Sequence, residues 1–402
     1  MSRGTAFINS LIQGNLEATY IRHHPGIVNM WLIGSSQLIN SLIHHLFPGL
    51  LKLNQSPLMY CVDQNTCPLS LWFMPRLLQA VITSVCMLLI YILTKRLLGR
   101  YVAIVAFTLL LLEPFFLAYQ RYITTDALQT DLSILAVLLL LLYLRENNNR
   151  TLLFSSGIFM GLATASKVPT LFILPAIVVW IVLIELGVWR TSFTPRGWIR
   201  QIIDLIIFAT TTICIIFLIL PALWVAPLET FEKFYEGLLT EADRGNLFFF
   251  GQMTDSPGLL FYPLVLAYRL SPLLQIGVLT CLAKLSIPKL RNHLSQIPEL
   301  IAIALIPLSV LFILSNIDSK VDRYIILFIP ELALLAGVGW LQIYAWIKSR
   351  VSLTIKCFFT KSNPHQSQVE LGILRIKFVT LNLYPYPVFI CSCSSWDLCS
   401  YN

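Results

Sequence analysis

About nine long apolar runs follow one another along this chain, near residues 73–93, 101–118, 126–144, 152–166, 170–189, 202–224, 259–283, 298–315 and 324–346. Roughly 20 apolar residues span the hydrocarbon core as a helix, and most of these runs approach that length. In lipid only helices and closed barrels satisfy their own backbone. The runs are unbroken rather than alternating, which excludes barrel strands. The pattern predicts an all-α polytopic membrane protein.

The first 70 residues read differently. Residues 27–47 are apolar but diluted by Asn29, Ser35, Ser36, Gln37, Asn40, His44 and His45. That dilution predicts a helix lying in the interface rather than crossing. Alternate loops then differ in charge. One set carries Lys95, Arg96, Arg100, Arg145, Arg150, Arg190, Arg196, Arg200, Lys284, Lys289, Arg291 and a basic stretch from Lys348 to Lys361. The opposite set carries only Arg121, Lys167, Lys233, Arg244, Arg269, Lys320 and Arg323. The basic excess marks the first set as cytoplasmic. Residues 1–72 then form an extracytoplasmic loop with interfacial helices, 73–346 the membrane bundle with an outer loop at 225–258, and 347–402 a cytoplasmic basic segment and tail. A chain that begins outside without a signal peptide leads to the expectation of at least one further span upstream of Met1. Near the other end, Arg375 and Lys377 interrupt the run 371–393 and leave it too short to cross.

Composition sharpens this picture. Only 12% of residues are charged, 57% are hydrophobic and the mean hydropathy is +0.76, so a soluble domain and a disordered chain are both excluded. The net charge of +8 lies in short loops between runs and reads as a topology signal, not a nucleic-acid surface. The nine cysteines show no metal-ligand spacing. Cys61 and Cys67, close together in a polar stretch, are either a disulfide or two free thiols.

Candidate chemistry concentrates between two runs, at Arg121–Gln129, with Glu113 and Pro114 about one turn inside the preceding run. Ionisable groups near hydrocarbon cost several kcal/mol unless paired or functional. The predicted topology puts Glu113, Arg121, Asp126, Lys167, Arg269, Lys320, Asp322 and Arg323 at one face. Each alone reads as a snorkelling side chain. Several cations among carboxylates at one depth suit an anionic headgroup, with Arg and Lys on phosphate and a carboxylate as base toward an incoming hydroxyl. No phosphate-cradling glycine loop is present, so nucleotide-driven chemistry is unsupported. The aromatic, acidic loop 225–258 is either interfacial packing or a lid.

Several segments, in order, resemble the bacterial GT-C glycosyltransferases of family 39, related to dolichyl-phosphate-mannose protein mannosyltransferases and lipid-A aminoarabinose transferases. They are His24–Gly26 with Met30 and Trp31, Pro75 and Arg76, Glu113 through Ala127, Gly161–Lys167, Arg244–Gln252, Pro257–Pro263, Arg269–Pro272 and Lys320–Tyr324. The resemblance covers about residues 1–346. It implies a GT-C-like bundle and inverting transfer of a sugar from a polyprenyl-phosphate donor to a protein, lipid or polysaccharide acceptor. The site would face outward from a bacterial plasma membrane, in the cell envelope. It implies Lys167, Arg269 and Arg121 on the lipid phosphate, and Glu113 and Asp126 as acidic cavity residues and catalytic candidates. His24, Asp322, Arg323 and Tyr324 would form an outer-face motif. The resemblance fixes no cofactor, and whether a divalent cation assists is left open. The family's usual catalytic carboxylate is expected upstream of Met1, which predicts an inactive chain as it stands. A transporter or flippase of lipid-linked sugars and a non-catalytic remnant are the alternatives; charge gathered at one face, without a repeat, favours the enzyme.

Overall fold

The computed structural model describes residues 1–21, 26–63, 67–146, 149–188, 193, 195–242, 247–249, 251–254, 257–287, 297–317 and 320–362. The chain divides into two compact units, Met1–Ile343 and Tyr344–Asn402. The tail beyond Ser362, His24 and Arg244–Asn246 lie outside the described residues.

Among the described residues, the fold is helical apart from one two-stranded ribbon, β1 (Leu247–Phe249) paired antiparallel with β2 (Gln252–Thr254). α1 (Ser2–Ile12) packs on α2 (Ile27–Leu46) through Gly34, where an added Cβ would lie 3.1 Å from the Gly4 carbonyl oxygen. α2 is 20 residues long but is not among the helices apolar enough to cross a membrane, because Asn29, Ser36, Gln37 and Asn40 are buried in it. Cys61 and Cys67 are joined as a disulfide.

The bundle follows as α3 (Phe73–Leu98), α4 (Arg100–Leu111), α5 (Pro114–Gln120), α6 (Thr125–Glu146), α7 (Arg150–Ser166), α8 (Leu174–Glu185), α9 (Trp198–Ile219), α10 (Pro227–Ala242), α11 (Phe261–Arg269), α12 (Pro272–Ser286), α13 (Ile297–Ser315) and α14 (Ile329–Ser362). Among the described residues, six stretches are long and apolar enough to cross a membrane, and α4 with α5 makes a seventh if the bent pair counts as one span. The remaining two runs expected to cross fall on shorter helices, the 17-residue α7 and the 15-residue α12. The expectation of about nine continuous spans is corrected in detail. The run 101–118 breaks by 76° at Glu113, held extended at φ −88° and ψ 102° before Pro114. The run 259–283 splits at Ser271, which caps α12 ahead of Pro272.

α6 is the axis of the bundle, with every residue from Asp126 to Leu144 buried. α3 runs parallel to it: Arg145 donates to the Leu97 carbonyl at 2.8 Å, while Asp131, near the start of α6, lies within electrostatic reach of Cys86. α7 runs antiparallel, with the Ser156 hydroxyl donating to the Ala136 carbonyl at 2.7 Å. Gly157 and Gly161, one turn apart, let α7 approach α9 closely. A Cβ at either position would lie 2.8 Å from the side chain of Thr211 or Ile215.

At the end of the bundle away from Asp126, the basic loops also do structural work. Arg196 donates to the Tyr143 and Leu144 carbonyls at 2.7 and 3.1 Å, satisfying acceptors that end α6. The Arg96–Glu146 ion pair, at 2.5 Å, ties α3 to α6 at the same end.

Candidate membrane-face site

Asp126 begins α6 and Lys167 ends α7, so antiparallel packing of the two helices brings them together. Lys167 Nζ donates to Asp126 Oδ1 at 2.5 Å, with both residues about 95% buried. The ammonium also lies 4.5 Å from the centre of the Tyr324 ring. Burial pulls the Lys167 ammonium below its ordinary value; Asp126 opposes this shift and the nearby charge of Arg323 adds to it. Gln129, one turn into α6, fixes the same turn by donating to Thr170 Oγ1 at 3.1 Å and to the Lys167 carbonyl at 3.4 Å.

A second group lies on α5, α11 and the segment before α14. Arg269 Nη2 donates to Asp322 Oδ2 at 2.5 Å, and its guanidinium lies 5.5 Å from the centre of the Phe115 ring. This pair is partly open to solvent, unlike Asp126–Lys167. The Tyr119 hydroxyl joins the two groups, lying within electrostatic reach of Asp322, Asp126, Arg323 and Arg269 together. Arg323 and Arg121 are exposed, and Lys320 is buried.

Glu113 is fully buried at the break between α4 and α5. Its Oε2 accepts from the Ser271 amide at 3.0 Å and from the Ser271 hydroxyl at 2.7 Å. Oε1 has no hydrogen-bond partner among the described residues. Glu113 therefore joins the broken span to the start of α12, two residues after Arg269, and keeps one buried oxygen without a partner among the described residues.

The structure thus gathers Glu113, Asp126, Lys167, Arg269, Asp322, Arg323 and Tyr324 from five parts of the sequence, with Arg121 exposed at the end of α5. Sequence reasoning missed Ser271, although Ser before Pro at a helix start is a recognisable cap. It also missed Gln129, and Asp131, a fully buried carboxylate that accepts from Gln120 Nε2 at 2.8 Å. Asp131 sits inside an apolar run, where an intramembrane acid is itself the signal. Among the described residues, no three His, Cys, Asp or Glu side chains cluster as metal ligands.

The family model described as Dolichyl-phosphate-mannose-protein mannosyltransferase matches residues 71–217, the stretch from the start of α3 through α9. Two crystal structures of ArnT from Cupriavidus metallidurans share the fold. The structure bound to undecaprenyl phosphate aligns with a TM-score of 0.57 at 14% identity, covering 88% of this chain and 58% of that one. The apo structure aligns with a TM-score of 0.55 at 15% identity, covering 88% and 57%. The chain therefore spans under two thirds of the length of these proteins. No curated protein matches it.

Proposed function

We infer that this integral multi-pass membrane protein, which shares the fold of ArnT, is a GT-C glycosyltransferase and handles a polyprenyl-phosphate-linked sugar at the end of the bundle where Asp126 meets Lys167. The observation carrying this reading is the gathering of Lys167, Arg269 and Arg323 around one aromatic and acidic cluster. ArnT in complex with undecaprenyl phosphate, a likeness in fold, supports this class of lipid.

In this reading Arg269 and Arg323, both exposed, meet the donor phosphate, with Arg121 at the rim. Asp126 holds Lys167 charged and aimed past Tyr324, where a buried ammonium alone would lose its proton. The acceptor hydroxyl attacks the anomeric carbon, a new C–O bond forms, and the sugar–phosphate bond breaks. The electron pair leaves on the phosphate, where the guanidinium groups stabilise it. The hydroxyl proton passes to a carboxylate; Glu113 is the candidate, because its Oε1 is buried without a hydrogen-bond partner among the described residues while Asp126 already accepts from Lys167. The extracytoplasmic placement of this face follows from the loop-charge bias, as does the assignment of residues 1–72 to the outer side. The Cys61–Cys67 disulfide supports an oxidising compartment there.

A flippase would gather cations at the same face, and one experiment separates the two. Membranes containing the chain are given a polyprenyl-phosphate sugar labelled in both the sugar and the lipid. Transfer separates the labels, which would also overturn the expectation of an inactive chain, and Glu113→Gln lowers that separation by about 10²–10⁴-fold. Movement of the intact donor between leaflets without separation would overturn the transferase reading in favour of the flippase.

A further inference from the structure

A second cation stands at the same end of the bundle, on the outside rather than the inside. Arg145 at the C-terminus of α6 bonds to Leu97 near the C-terminus of α3, so the first residues of α3 lie at the Asp126 end. There Leu69, Trp72, Phe73, Arg76 and Leu77 line an open cleft of about 350 Å³. The Arg76 guanidinium lies 5.8 Å from the centre of the Trp72 ring and pairs with no carboxylate among the described residues. Below it, Phe73, Leu77, Val81, Val85, Leu88 and Ile92 are all exposed and succeed one another at three- or four-residue spacing along α3. That spacing makes a single apolar stripe about six turns long, headed by one cation and one tryptophan.

We propose that this cleft and stripe bind one glycerophospholipid with an anionic headgroup, its phosphate on Arg76 and one acyl chain along α3. The charge argues for this occupant. A guanidinium forks onto phosphate oxygens, and that of Arg76 stands 5.8 Å from the centre of the indole, within reach of its electron-rich face. Trp72 stands near the start of the membrane-length stretch Leu69–Leu98, and amphipathic rings concentrate at span ends. Among the residues lining the cleft only Arg76 is charged, which favours a net-negative headgroup. A zwitterionic lipid brings an ammonium that needs an acidic neighbour, and an anionic one does not. The stripe decides between a lipid and a free anion, since an acyl chain covers its outer half, about 15 Å of the roughly 30 Å core, and a free anion covers none of it. This site is separate from the Asp126–Lys167 cluster and does not depend on transferase chemistry.

The test uses the full chain in mixed micelles with equal amounts of phosphatidylglycerol and phosphatidylcholine, and counts retained lipids by native mass spectrometry. The wild type should hold one phosphatidylglycerol more than Arg76→Gln, with that lipid bound about 10-fold or more tightly. Arg76→Lys, which keeps the charge but not the fork, should fall between them. Soluble glycerol phosphate at the same concentration should not compete. Equal retention by wild type and Arg76→Gln, equal retention of phosphatidylcholine, or full competition by glycerol phosphate would each overturn the proposal.

Discussion

Removing one member of the Asp126–Lys167 pair should cost far more than removing both. The two groups meet at 2.5 Å, each about 95% buried, so neither charge can be solvated once its partner is gone. Breaking a buried pair typically costs about 3–5 kcal/mol, whereas replacing both partners by apolar groups is often close to neutral. Asp126→Asn and Lys167→Met should each fall in that range at pH 7, and Asp126→Leu combined with Lys167→Met should return to within about 1 kcal/mol of the wild type. The assay is reversible unfolding of the purified chain in mixed micelles, run as a double-mutant cycle. The pH dependence has a definite sign. Lys167 is pulled below its ordinary value of 10.5 by burial, so between the lowered and ordinary values the unfolded chain binds more protons than the folded one. Stability from this group therefore rises with pH across that window. Asp126→Asn removes the opposing carboxylate and widens the window, so its penalty should shrink from pH 7 to pH 9 as the ammonium discharges. Single costs that add to within about 0.5 kcal/mol, or a penalty that grows with pH, would refute the reasoning.

Three further outcomes follow from contacts elsewhere. Gly161→Leu places a side chain against the Thr212 carbonyl and Ile215 and should cost about 1–3 kcal/mol in the same unfolding assay, while an exposed Leu171→Ala should cost little. Ser271→Ala removes both a cap and a partner of Glu113 and should cost about 1–2 kcal/mol, with a matching loss of transfer, if activity is measured alongside. Asp322→Asn opens a half-exposed ion pair, so stability should change by less than about 1 kcal/mol; polyprenyl-phosphate binding, measured by titration, should tighten because Arg269 no longer shares its fork.

Much of the fold was legible because lipid imposes one rule on every span. The apolar runs located the helices, and the polar positions of α2 leave it below the hydropathy of the candidate spans. The breaks were not legible as breaks. Pro114 and Pro272 were visible, but apolar runs continue through both, and only packing shows that Glu113 turns the chain while Ser271 restarts it. The site was legible as a depth, since helix ends carry its charges. Its pairing was not. Nothing in the spacing of Asp126 and Lys167 joins them; the α6–α7 hairpin does. Glu113 and Ser271 stand 158 residues apart, a separation no local pattern bridges. Asp131 was overlooked because its run was read for length rather than for its one interior acid.

The central claim is that one end of the bundle, where α5, α6, α11 and the segment before α14 converge, receives the lipid phosphate. A polyprenyl phosphate carrying a photoreactive group beside the phosphate would be crosslinked to the chain in membranes and the adducts mapped by mass spectrometry. The account predicts adducts within residues 114–126, 261–271 and 320–328, suppressed about 10-fold or more by Arg269→Gln combined with Arg323→Gln. Adducts around Arg96, Arg145 and Arg196 at the opposite end, unaffected by those substitutions, would contradict it.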